Sequence, residues 1–527
     1  MRGPQFTLLG VVAVLFTIAV ALAVLVKGDF GWLAAVIAIF VIVGVIDFVQ
    51  VRHSVRRNYP LLGRLRWIGE EFRPEIQQYF VEQDTEGMPF DRTHRSLVYQ
   101  RAKNLHGEQP FGTQLDVYAS GYEWFSHSLA PKPQYDDQFR VLLDGQGVEK
   151  PYDMSLLNVS AMSFGSLSSN AITALNRGAK KGGFAHDTGE GGLSEYHKNG
   201  GDLVWEIGTG YFGTRTPDGR FDPDRFSETA TLDQVKCVSI KLSQGAKPGL
   251  GGVMPAAKVT AEIAGIRGVP EGVKCVSPPY HSAFSTPEEL LVFVDDLRRM
   301  SGGKPTGFKL CIGRPTEFLS ICKAMVETGL HPQFILVDGS EGGTGAAPLE
   351  FEDHVGMPLT EGLIIVHNAL VGSGLRDKIK IGVAGKIDSG SAMAARLAQG
   401  ADFTNAARAM MLALGCIQAR RCETNTCPVG VTSQNPRRVR GLVVADKAER
   451  VYQFHRNTVA SFNQLLAAMG LDHPDQLDPS FLTQRVDPTT IRTYAELYEW
   501  LEPGELLDGP RPSWADNWAT ASAGAFV

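Results

Sequence analysis

The sequence predicts an α/β protein: a closed (β/α)8 TIM-type barrel with an N-terminal two-helix transmembrane hairpin. Three observations predict it. Short apolar segments ending in Gly-, Ser- or Pro-rich loops recur eight times between residues 156 and 405, alternating with helix-like stretches. Glycine, at 57 of 527 residues, exceeds its usual share of roughly 7%. Two apolar stretches open the chain.

Phe6 to Val26 carries no charge, Phe30 to Ile46 is similar, and only Lys27-Gly28-Asp29 separates them. A membrane-spanning helix needs about 20 apolar residues, with a lower limit near 17. A hairpin at residues 1–52 is therefore expected. Arg2 precedes the first apolar stretch, and Arg52, Arg56, Arg57, Arg64 and Arg66 follow the second. Positive-inside bias then puts both ends, and the catalytic bulk, in the cytoplasm, with membrane lipid as a partner. Asp47 reads as a residue at the interface.

Residues 53–135, mixed and broken by prolines, read as an N-terminal cytosolic subdomain. The barrel is expected over 136–436. Its strand ends are read at Leu156–Ala161, Phe184–Thr188, Val238–Leu242, Cys275–Ser277, Gly307–Leu310, Phe334–Val337, Ile379–Val383 and Phe403–Asn405. Residues 437–527 hold an amphipathic helix at Glu449–Leu471 and a Pro- and Trp-containing tail. The net charge of −6 offers no basic face and argues against a nucleic-acid partner. Seven cysteines without a disulfide-like framework suit a reducing compartment.

Barrel chemistry sits on loops at the C-terminal ends of strands. Here those loops are Ser160–Ser166, Asp187–Gly192, Lys241–Gly252, Val276–Pro279 and Asp338–Pro348. Each glycine cluster alone is a weak signal, but their repetition suggests backbone held close to a flat, polyanionic ligand. A barrel's phosphate site usually follows strands seven and eight. Ala384-Gly385-Lys386 and the Asn405–Met410 segment occupy those places, with Lys386 and Arg408 as candidate cations.

Cys416, Cys422 and Cys427 follow as C-x5-C-x4-C. Zinc would want a fourth ligand nearby, and no histidine lies between His367 and His455. Three thiolates without a local fourth ligand favour a three-iron cluster over zinc; buried free thiols are the bland alternative.

At this point a family resemblance enters. The run from Cys422 to Val431 resembles the cluster loop of glutamate synthase. The Ser160–Ser166, Gly189–Gly192, Gln244–Gly252 and Asp338–Pro348 loops resemble that enzyme's flavin and 2-oxoglutarate loops, in the same order, over about residues 150–436. The resemblance implies FMN, a [3Fe-4S] cluster on Cys416, Cys422 and Cys427, and reductive formation of an amino acid from a 2-oxo acid and ammonia or an amine. It places the oxo-acid against Glu190, Lys247 and Arg267. It places FMN against Ser160, Ala161, Met162, Ser163, Gln244, Lys309, Gly342, Gly343, Thr344 and Gly345, with the phosphate by Ala384, Gly385, Lys386 and Arg408. A cation such as Lys309 would stabilise an anionic reduced flavin.

Two departures from the family pattern matter. Leu250 stands where the family has an acid, and Val253 where it has a glutamine. Losing an amide weakens discrimination for a polar substrate. Moreover, the first cysteine is Cys237, so no N-terminal glutamine-hydrolysing cysteine is present in this sequence. No strand–GxGxxG–helix unit for NADPH is found either. A separate electron donor, ferredoxin-like or a reductase subunit, is expected. An N-methylglutamate-type or other amine-linked synthase or dehydrogenase, and an electron-transfer subunit of a membrane complex, remain as alternatives.

Overall fold

The protein is described from a computed structural model covering residues 31–527, except 106, 109 and 136–138, together with residues 10, 14, 16–18, 20 and 21. The chain divides into two units, residues 1–92 and 93–527.

In the first unit, helices span Gly31–Val49, Ser54–Asn58 and Gly63–Ile76. Asp47 is buried and receives Arg64 through Nε and Nη2, each at 2.8 Å, plus the Leu61 N–H at 3.2 Å. The expected membrane hairpin and the membrane localisation drawn from it are overturned by the helices themselves, and the lipid partner expected with them has no support. The first expected span lies largely outside the described residues. Among the described residues no helix is long and apolar enough to cross a membrane. The physical reason lies in Asp47. The uncharged run from Gly31 to Ile46 stops there, and at 1.5 Å per residue it extends roughly 24 Å, short of a ~30 Å hydrocarbon core. The Asp47 carboxylate is fixed by a two-pronged contact from Arg64.

In the second unit, eight parallel strands among the described residues close a barrel. They are β1 (Leu157–Val159), β2 (His186–Asp187), β3 (Leu203–Ile207), β4 (Val235–Lys241), β5 (Thr306–Leu310), β6 (Phe334–Asp338), β7 (Lys380–Ala384) and β8 (Phe403–Ala406). Pairing runs in sequence order and closes between β8 and β1, with Asn405 opposite Asn158. The expected barrel is present, but one strand was misread. Cys275–Val276 pairs antiparallel with Val253–Met254 and lies outside the barrel. Leu203–Ile207 takes the missing place. That run was hard to see because Glu206 interrupts its apolar pattern, yet all five residues are buried.

Alternation of side chains sorts each strand. Trp205, Ile207, Val238, Ile240, Phe308, Ile335, Val337, Ile381 and Val383 face the helical layer. Val204, Cys237, Phe334, Leu336 and Phe403 fill the barrel, with Leu143, Tyr152 and Met154 from an antiparallel hairpin. In the same alternation, the next inward positions toward the C-terminal ends are Asp187, Glu206, Lys241, Lys309, Asp338 and Asn405. The interior thus passes from apolar to charged along its axis, and this gradient positions the site.

The helix expected at Glu449–Leu471 spans Val444–Ala468 and packs on the helices Ser169–Gly182 and Gly390–Ala398. The tail strand Leu482–Arg485 pairs with Glu123–Phe125 and Ile491–Thr493.

Candidate active site

Two ion pairs form here, one between inward positions and one reaching the loop after β2. Lys309 Nζ lies against Glu206 Oε2, both almost fully buried. Lys241 Nζ is 3.0 Å from Glu190 Oε1. Burial works against the Lys309 charge, but Glu206, then Asp187 and Asp338, hold its pKa above the usual value. Burial likewise pushes Glu190 up, yet Lys241, followed by Arg267 and Lys309, leaves it below the usual carboxylate range. Glu190 is thus kept ionised although it is mostly buried. Neither Lys241 nor Glu206 was singled out as a site residue from the sequence. The signal available for Lys241 was the alternation Val235–Lys241, which puts Cys237, Ser239 and Lys241 on one face.

Lys247 is 3% exposed and donates from Nζ to the Ala346 carbonyl at 3.0 Å, joining the loop after β4 to the loop after β6. Burial, then repulsion from Lys241, brings its pKa down to about 8, against the pull of Glu190. The Gly245 N–H donates to Asp338 Oδ2 at 2.8 Å. Gln244 carries a buried amide nitrogen, Nε2, with no hydrogen-bond partner. Arg267 is turned to the loop after β1, donating from Nη2 to Ser163 Oγ at 3.2 Å and to the Phe164 carbonyl at 3.3 Å. A Cβ on Gly191 would lie 2.8 Å from Arg267 Nη2, which explains a glycine beside Glu190. Val253 sits in the short ribbon opposite Val276, and Leu250 is exposed.

The strand-seven and strand-eight loops carry the candidate phosphate site. Arg408 Nη2 donates to the Glu341 carbonyl at 2.6 Å. A Cβ on Gly343 would come within 2.7 Å of Arg408 Nε, so the loop after β6 lies flat on the guanidinium. The Ala384 carbonyl accepts from the Gly339 N–H at 2.8 Å. Lys386, at φ +51°, has its pKa lowered by burial and then by Arg408. Two cations held in mutual repulsion suit an anion between them. Ser160 donates its N–H to the Ala406 carbonyl at 3.0 Å, tying the loop of Ser160, Ala161, Met162 and Ser163 to β8. Gly342 donates its N–H to Gly339 at 2.8 Å, and Thr344 and Gly345 continue that loop.

The cysteine loop adjoins the same face. Lys258 Nζ bridges the Ser166 carbonyl at 2.9 Å and the Cys422 carbonyl at 3.2 Å. Tyr99 donates from its hydroxyl to the Cys416 carbonyl at 2.6 Å. The thiol of Cys416 is raised to about 12, by burial first and then by Cys422 and Cys427. These thiols are near one another, but among the described residues no three His, Cys, Asp or Glu side chains converge as metal ligands. A cluster on Cys416, Cys422 and Cys427 is therefore not shown.

Residues 135–472 match the family model for the conserved region in glutamate synthase. The glutamate synthase large subunit-like protein YerD of Bacillus subtilis is 37% identical over 503 residues, covering 88% of this chain and 95% of that protein. The archaeal glutamate synthase [NADPH] of Methanocaldococcus jannaschii is 32% identical over 322 residues, 60% of each chain. The large chain of glutamate synthase [NADPH] from Azospirillum brasilense is 30% identical over 374 residues, which is 66% of this chain but 23% of that one. This chain therefore belongs to the glutamate synthase family.

Proposed function

We propose that the chain is an oxidoreductase of the glutamate synthase type that holds FMN at the barrel mouth. Its reaction would be the reductive amination of a 2-oxo acid, 2-oxoglutarate or a relative, with ammonia or an amine, using electrons from a separate donor. One observation carries this reading. The single loop Asp338–Pro348 meets Lys247 through Ala346 and Arg408 through Glu341 and Gly343, so the lysine expected to bind a carboxylate and the arginine expected to bind phosphate share one wall. The residues fit the cofactor. Gln244 Nε2 is a buried donor without a partner, Gly343 leaves no room for a side chain, and Lys386 and Arg408 crowd their charges together.

Bound FMN would supply the hydride. The chain's own groups do the rest. Lys247 neutralises a substrate carboxylate, and with its pKa near 8 it can return a proton from Nζ to the nitrogen being reduced. Glu190, kept ionised by Lys241, accepts hydrogen bonds from that nitrogen. Burial of both pairs excludes water and strengthens these interactions. Val253 offers only apolar contact, which favours a less polar oxo-acid or an N-substituted imine among the relatives of 2-oxoglutarate.

The [3Fe-4S] cluster implied by the family resemblance is not shown at these thiols, and no electron-transfer step is drawn through it. The flavin reading is tested by acid release and chromatography of the cofactor from purified protein. FMN is expected; FAD, or no flavin under any growth condition, would overturn the reading.

A further inference from the structure

Below the charged layer lies a cavity inside the barrel with roughly the room of one water molecule. Asp187, Asn158, Ser239 and Asn405 supply its polar lining, and Phe334, Leu336 and Phe403 part of its apolar wall. Two of those polar groups are buried without a hydrogen-bond partner: Ser239 Oγ and Asn405 Oδ1. Orphaned polar atoms around a space of this size want a shared partner, because each one left unsatisfied costs on the order of 1–3 kcal/mol.

Asp187 stands at the top of the same cavity, 3% exposed. Its Oδ1 accepts the Gly189 N–H at 2.9 Å. The nearby cations are already engaged, since Lys309 lies on Glu206 and Lys241 on Glu190. Asp338 has the Gly245 N–H. Asp187 therefore has no cation of its own.

We propose that the barrel interior holds one water bridging Asp187, Ser239 and Asn405, and that Asp187 stays an uncharged carboxylic acid at neutral pH, a proton store beneath the mouth. This rests on the barrel and not on the flavin reading, though it serves that reading by keeping a proton beside the Lys309–Glu206 pair. The groups facing Asp187 agree. Burial raises its pKa, Glu206 raises it further, and Lys309, the Gly189 N–H and Lys241 pull it down without cancelling the rise. Asp338 lies in the same cluster around Lys309. The acid supplies the hydroxyl hydrogen that a water in this space can accept, and the water in turn donates to Asn405 Oδ1 and bonds Ser239 Oγ.

Infrared difference spectroscopy of the full chain, titrated across neutral and mildly alkaline pH, tests it. A protonated-carboxyl band should be present at neutral pH and fade as the pH rises through about 8. It should vanish in Asp187→Asn, which keeps the shape, and shift in frequency in Ser239→Ala, which removes one hydrogen-bonding partner. Absence of any band that depends on Asp187 overturns the protonation, and an unshifted band in Ser239→Ala overturns the bridge. Flavin content measured on the same samples separates the two readings. A band in protein that never binds FMN leaves the proton store standing and sinks the flavin assignment; FMN without the band does the reverse.

Discussion

Lys241 Nζ and Glu190 Oε1 meet at 3.0 Å at the mouth of the barrel, and their side chains are only 8% and 14% exposed. After the opposing effect of burial, Lys241 is the largest influence on Glu190 and holds its carboxyl below the usual range. The wild-type carboxylate therefore survives until the pH falls below ordinary carboxylate values. In Lys241→Met the pKa rises, so the acid limb of the pH profile for flavin reoxidation should move to higher pH. Removing one partner of a buried pair should also cost about 3–5 kcal/mol of stability. An acid limb that stays in place would contradict this role.

Lys247→Ala should keep its FMN and react more slowly with every 2-oxo acid. The contact to Ala346 and the cation disappear together. A charged hydrogen bond worth about 1.5–3 kcal/mol corresponds to roughly 10- to 100-fold in rate. Single-turnover reoxidation over a panel of oxo-acids, with ammonia or methylamine, measures it.

Gly343→Ala should weaken FMN binding, because the added Cβ would sit 2.7 Å from Arg408 Nε and drive either the loop or the guanidinium away. Flavin-to-protein ratio after gel filtration is the readout, and full retention of flavin would remove Arg408 from the phosphate site.

Residues 93–527 form a unit of their own. A chain beginning at Thr93 should therefore fold and bind FMN as the full chain does. Loss of flavin from well-folded truncated protein would show that the first unit helps to hold it.

Cys422→Ser should leave the flavin content unchanged, since the residues fitted to FMN lie on other loops. Iron and sulfide analysis of anaerobically prepared wild type and variant reads the cysteine loop independently. Iron in the wild type that the variant lacks would mean that the loop closes on a metal.

The barrel was legible in the sequence because strand ends and glycine loops repeat, and seven of the eight expected strands stand in it. Cys275–Ser277 misled because two strand-like residues in a ribbon look the same as two in a barrel; only the pairing with Val253–Met254 separates them. Leu203–Ile207 was hidden by Glu206, a charge that makes sense only with Lys309 opposite it, more than a hundred residues away. Lys386 and Arg408 were singled out from the loops after strands seven and eight, and Lys247 from the family resemblance. Lys241 was not, because its partner Glu190 is on another strand's loop. The hairpin reading counted apolar residues and missed that Asp47 is held by Arg64.

The central claim is tested most directly by one measurement. Protein purified with its flavin is reduced anaerobically, and absorbance is followed after adding a 2-oxo acid with ammonia or methylamine. The account predicts reoxidation that needs both the oxo-acid and the nitrogen source and is slowed by Lys247→Ala. A reduced flavin indifferent to every such pair, yet readily reoxidised by a protein or quinone acceptor, would contradict it.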